Sequence, residues 1–166
     1  MNIKINRSNI ALANIYGPKQ SDDRNFFNTL YNDIISLKSD CLLILGDLNC
    51  ITDISPPNVN AEIFNMNQLP NPNHGKILNK LMKEGKLFDI FRTFHPEKKE
   101  FSYAPFELNP NITRHNMSRI DNALGCSKLT EITRAIDYIN TPSLFDHKCI
   151  SISLKKRKKG LFKLII

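Results

Sequence analysis

Between Cys41 and Leu45 the chain offers no polar side chain, and the next four residues are Gly46, Asp47, Leu48 and Asn49. A short run that is apolar at every position, not at alternate ones, is the pattern of a strand buried on both faces. This one ends by delivering a carboxylate and an amide. Asp47 and Asn49 are two apart, so an extended backbone sends both side chains to the same side of the sheet's edge. Three more polar islands lie against apolar runs: residues 14–18 (NIYGP), 118–124 (SRIDNAL) and 146–150 (DHKCI). Asp47, Asp121 and Asp146 supply anionic oxygens that could hold a divalent metal, and His147 adds an acid/base group. The set is one that could cleave a phosphodiester.

The rest of the chain mixes strands and helices without strict alternation. Residues 9–16 read as a strand with Ile10, Leu12, Asn14 and Tyr16 on one face, closed by Gly17 and Pro18. Ser21 or Asp22 can cap a helix over 23–37, whose Phe27, Leu30, Tyr31, Ile34 and Leu37 make one apolar stripe. Residues 55–73 are rich in Asn and Pro and predict a long surface loop with one turn near 61–66. A second helical stripe, Ile77, Leu78, Leu81 and Met82, ends at Gly85 as its C′ residue. Residues 87–93 are of uncertain type. Segments 101–104, 119–124, 132–139 and 148–154 read as strands, with a short helical turn at 127–130. The mixture favours a layered α+β sandwich over a doubly wound parallel sheet.

With 166 residues, 41% of them hydrophobic, the chain is long enough for one cored domain. The net charge of +7 resides in the last residues, because Lys155, Lys156, Arg157, Lys158, Lys159 and Lys163 carry six of the charges. The division expected is therefore a domain over 1–154 and a basic, solvated tail over 155–166. Such a tail could also bind phosphates or serve as a nuclear import signal. Cys41, Cys50, Cys126 and Cys149 have neither C-x-x-C spacing nor a histidine at zinc-finger distance. No zinc site is expected, and the cysteines imply a reducing compartment. The N-terminus lacks a signal-peptide core and no run is long enough to span a membrane. The expectation is an intracellular protein, nuclear or cytoplasmic. His74, His95 and His115 share no ligand spacing and are expected on the surface or in loops.

In order and spacing, the four islands resemble the C-terminal half of the endonuclease/exonuclease/phosphatase (deoxyribonuclease I-like) superfamily. Residues 87–103, LFDIFRTFHPEKKEFSY, are similar to the segment that follows the GD(F/L)N motif in the apurinic-type endonucleases of non-LTR (LINE-type) retrotransposons. The resemblance covers roughly residues 9–154 and implies a four-layer α/β/β/α sandwich, N-terminally truncated. It implies Mg²⁺- or Mn²⁺-dependent hydrolysis of DNA. Asp47 would act as acid/base, Asn49 and Tyr16 would hold the phosphate, and Asp121 would orient the phosphate-facing imidazole of His147. Asp146 and Asp47 would lie at the metal, with Ser102 and Arg119 on the DNA backbone and Arg114 and Lys76 as further contacts. Two departures follow. Nothing upstream of Asn14 is long enough for the family's half-domain with its metal-binding Glu, and Phe145 stands where the family carries a Ser. Both lower the expected activity, and an uncovered sheet edge would favour association. A phosphatase of the same superfamily and a catalytically dead nucleic-acid-binding remnant are the alternatives.

Overall fold

The computed structural model describes residues 2–5, 8–19, 24–37, 39, 41–52, 63–64, 72–104, 117–141, 145–155 and 160–166. Its centre is β3 (Cys41–Asp47), every residue of which is buried. One neighbour is β2 (Ser8–Tyr16), parallel to it; the other is β7 (Asp121–Cys126), antiparallel. An edge hairpin partner β1 (Asn2–Ile5) and the short β5 (Leu87–Asp89) complete a five-stranded sheet of order β1-β2-β3-β7-β5. A second sheet has the order β10-β9-β8, from β8 (Thr133–Ile139), β9 (Cys149–Lys155) and β10 (Leu161–Ile165), all antiparallel. Two residues each from β4 (Ile63–Phe64) and β6 (Met117–Ser118) form a separate ribbon.

Alternation along β2 and β3 decides what each face of the larger sheet touches. Ile10, Leu12, Leu43 and Leu45 point toward the second sheet, where they join Ile136, Ile150, Ile152 and Leu154 in one core cluster. Ala11, Leu42 and Ile44 point the other way. There they meet Phe27, Leu30 and Ile34 of helix α1 (Arg24–Ser36) and Leu78 and Leu81 of helix α2 (Pro72–Gly85). Two short helices, α3 (Ile90–Phe94) and α4 (Ser127–Ile132), put Phe91 and Leu129 into the core between the sheets. Helix layer, sheet and sheet are thus stacked in the order expected of the α+β sandwich. No described helix is long and apolar enough to cross a membrane.

Several local expectations fail. The turn predicted near 61–66 contains β4 instead. The left-handed residue after α2 is Lys86, with φ of 50°, and not Gly85. Residues 101–104 form no strand, only an isolated bridge through Tyr103 to Ser118 and to His147. The boundary after Leu154 falls inside a hairpin: β9 runs to Lys155 and β10 returns along it, with Phe162, Leu164 and Ile166 packed on the inter-sheet core. The apolar residues 161–166 override the charge run before them, because an open edge of β9 is available to pair. Cys41 and Cys126 are joined in a disulfide, their Cα atoms 5.9 Å apart. A separation of 85 residues carries no spacing signal, and only the β3–β7 pairing brings the two together. His74 is fully buried against Phe27 and is no surface histidine, whereas His95 follows α3 in a loop, partly exposed, and reaches the Ile136 carbonyl at 3.0 Å. The cap residues 21 and 22 and His115 lie outside the described residues.

Candidate active site

Strand register assembles the site. The parallel pairing sets Tyr16 opposite Asp47, and the antiparallel pairing sets Asp47 opposite Asp121. Three polar side chains thus stand in a row across three neighbouring strand ends. Gly46 is needed just before Asp47: its φ is +122° and a Cβ there would run into the Ile15 carbonyl. The turn after β2 is tied to the turn after β3, because Gly17 N–H donates to the Asp47 carbonyl at 2.6 Å and Asn49 Nδ2 donates to the Gly17 carbonyl at 2.6 Å.

His147 arrives from the other sheet, just before β9. The bridge to Tyr103 holds it, with Lys148 N–H donating to the Ser102 carbonyl at 2.7 Å and Ala104 N–H to the Asp146 carbonyl at 2.8 Å. Its Nδ1 lies 2.9 Å from Asp121 Oδ2, and its Nε2 lies 4.0 Å from Asp47 Oδ2. The hydrogen bond to Asp121 raises the imidazole's pKa above its ordinary value, against the opposing effect of burial. Nδ1 donating to the carboxylate leaves Nε2 facing Asp47 and the cavity. Asp47 is shifted upward as well, chiefly by burial and further by the Asp121 charge, although Asn49 N–H donates to its Oδ1 at 2.8 Å. Its other oxygen, Oδ2, is buried without a hydrogen-bond partner.

That unpartnered oxygen fits a cation. Donor atoms of Asp47, Asp121 and His147 all lie within 4.8 Å of one another. The two carboxylates, one of them carrying the buried orphan oxygen, would supply the anionic oxygens that a hard divalent metal takes. The expected pair was Asp146 with Asp47. Asp146 lines the same cavity but is exposed and stands outside this converging group.

Other assigned residues go elsewhere. Ser102 is 1% exposed and its Oγ accepts the backbone N–H groups of Ile120 (3.1 Å) and Asp121 (3.0 Å). It fastens the start of β7 and cannot touch a DNA backbone. Arg119 is fully buried. Its guanidinium pairs with Asp89 at 2.5 Å and reaches Asn122 at 3.0 Å and Tyr138 at 3.3 Å, so it too is no phosphate contact. A residue two before Asp121 faces the core on this strand approach, and the ion pair with Asp89 makes that tolerable. Asn49 spends an amide hydrogen on Gly17, with its own φ at 46°, and serves first as a turn tie. Tyr16 is exposed and lines the cavity. Lys76 is exposed on α2, and Arg114 lies outside the described residues.

Two residues of the site escaped the sequence. Tyr138 on β8 donates its hydroxyl to the Asp121 carbonyl at 2.5 Å, and the Tyr103 ring lies against His147, tilted by 50° with centroids 5.0 Å apart. Neither has a motif; each was one aromatic in a strand-like run.

The fold has counterparts among known structures. An AP endonuclease from Archaeoglobus fulgidus superposes with a TM-score of 0.70 at 17% identity, over 88% of this chain and 62% of that one. The Xenopus laevis APE2 catalytic domain gives 0.65 at 19% identity, over 96% and 51%. A 3′ phosphatase, NExo, from Neisseria, bound to a product DNA hairpin, gives 0.63 at 15%, over 89% and 61%. The fold is DNase I-like. No family model matches the chain. The chain spans between about half and three fifths of the length of these neighbours.

Proposed function

We propose that this chain hydrolyses DNA phosphodiesters with a divalent metal, as an endonuclease of the kind carried by non-LTR retrotransposons. The observation that supports it is the Asp121–His147–Asp47 row in a cavity of about 630 Å³ that Tyr16 and Asp146 also line. Solved structures with the same fold are named as AP endonucleases. The similarity of residues 87–103 to the retrotransposon branch supports the narrower assignment.

A Mg²⁺ or Mn²⁺ ion held by Asp47 and Asp121 would neutralise charge on the phosphoryl oxygens. The chain's own residues do the rest. Asp121 holds the imidazole through Nδ1, so His147 stays cationic toward neutral pH and offers Nε2–H to a phosphoryl oxygen as negative charge develops. Asp47, raised by burial, can take a proton from the attacking water. Tyr16 offers its hydroxyl to the phosphate from the rim. Phe145 supplies no donor where the resemblance implies a Ser, and one missing donor to a developing oxyanion is worth about 10²-fold in rate. The reaction is therefore slow.

Nicking of supercoiled plasmid under enzyme excess, with Mg²⁺ or Mn²⁺, tests this reading. The expected result is slow nicking that EDTA and His147→Ala abolish. Nicking that survives His147→Ala, or none from the unaltered chain after prolonged incubation, overturns it. The 3′ phosphatase among the fold's neighbours favours a second reading, for which a DNA hairpin bearing a 3′ phosphate is the substrate to run alongside. Phosphate release from it without plasmid nicking would select that alternative.

A further inference from the structure

Among the described residues, the two most exposed large apolar side chains are Tyr16, at 65%, and Phe145, at 63%. Both line the one cavity that holds Asp47, Asp121 and His147. Ile15, Cys149, Ile150 and Ile166 back them. Hydrolysis of a phosphate needs none of this apolar surface. Exposed apolar area gathered at one polar site marks contact with something, here the part of the substrate that is not phosphate.

We propose that Phe145, which lines the same cavity as Tyr16 and the Asp47, Asp121 and His147 group, is a stacking platform for one unpaired nucleobase. The site then takes a splayed or terminal nucleotide in preference to an uninterrupted duplex. This rests on the reading of those three residues as a phosphate site. Two observations select a base over a lipid chain. Tyr16 and Phe145 are the most exposed apolar side chains of the lining, since Ile15, Cys149 and Ile166 are only partly exposed and Ile150 is 2% exposed, and every base has a π-face to lay on a ring. An acyl chain would call for an enclosed aliphatic tunnel, where a ligand is covered on most sides. Phe145 also lies two residues before His147, so one short segment carries the ring and the phosphate-facing imidazole together.

The test is equilibrium binding in EDTA, which keeps strands uncut, of a short single strand carrying 2-aminopurine and of a fully paired hairpin. Unaltered protein quenches the 2-aminopurine. Phe145→Ala weakens single-strand binding about tenfold, which is about 1.4 kcal/mol and within the range for one stacked base, and leaves the hairpin within about twofold. Phe145→Trp restores single-strand binding, which a general surface effect would not do. Equal losses for both DNAs, or no loss for either, overturn the platform. Phe145-dependent binding to phosphatidylcholine vesicles, with oligonucleotide binding unchanged, overturns it in favour of a lipid phosphate. The nicking assay reads the phosphate site separately. His147-dependent nicking with no Phe145 effect on binding removes the platform alone; Phe145-dependent binding with no nicking removes the hydrolase reading and keeps the base-binding surface.

Discussion

Replacing Arg119 by Met tests the placement of this residue in the core and not on DNA. Arg119 is fully buried, and its NH2 lies 2.5 Å from Asp89 Oδ2, itself 8% exposed. Met keeps most of the side-chain volume and removes the charge. Breaking a buried pair by deleting one partner costs about 3–5 kcal/mol, because the other charge stays behind in low dielectric. Asp89 would keep two donors, Thr52 Oγ1 at 3.2 Å and Arg92 N–H at 3.0 Å. The lower end, about 3 kcal/mol, is therefore expected. In a chain of this size that lowers Tm by roughly 6–12 °C. Urea unfolding followed by circular dichroism measures it, and it has an internal control. Adding Asp89→Asn to Arg119→Met removes the stranded charge and should recover at least half of the loss, a coupling expected only for residues in contact. A loss under about 1 kcal/mol together with weaker DNA binding would refute the reasoning and return Arg119 to the surface as a phosphate contact.

Two further perturbations have signs fixed by the structure. His147 has a raised pKa in the fold, so its contribution to stability is complete below the ordinary histidine value and is lost as pH rises through the raised one. Asp47 is raised too, and the stability linked to its protonated form is lost at lower pH, as it ionises through its own raised value. In EDTA, Tm should therefore fall as pH rises past the ordinary histidine value of about 6.5, and His147→Ala should flatten that fall; a slope unchanged by the substitution would sink the Asp121–His147 contact as its origin. Reducing the Cys41–Cys126 bridge opens a link across 85 residues, which chain-entropy reasoning values at up to about 4–5 kcal/mol. The urea midpoint should drop clearly on adding a reductant, and an unchanged midpoint would show that the bridge does not form in solution.

The sequence by itself determined the parts that depend on local pattern. Five apolar residues in a row made β3, the three- and four-residue stripe of Phe27, Leu30 and Ile34 made α1, and the islands around Asp47, Asp121 and His147 marked the chemistry. These follow from periodicity and from which side chains can hold a proton or a metal, and no knowledge of neighbours is needed. Where each polar side chain points and what it meets came from packing. Ser102 and Arg119 sit in stretches that look like an exposed rim, yet one fastens two backbone N–H groups and the other pairs with Asp89 beneath the sheet. The KKRKK run reads as a free tail until an open β9 edge recruits the apolar residues behind it. Cys41 meets Cys126, and Tyr138 meets the Asp121 carbonyl, across distances in sequence that no motif spans. The physical reason is the same in each case. A buried polar group is placed by the partner that satisfies it, and sheet register, a property of paired strands and not of either one alone, decides which partner that is.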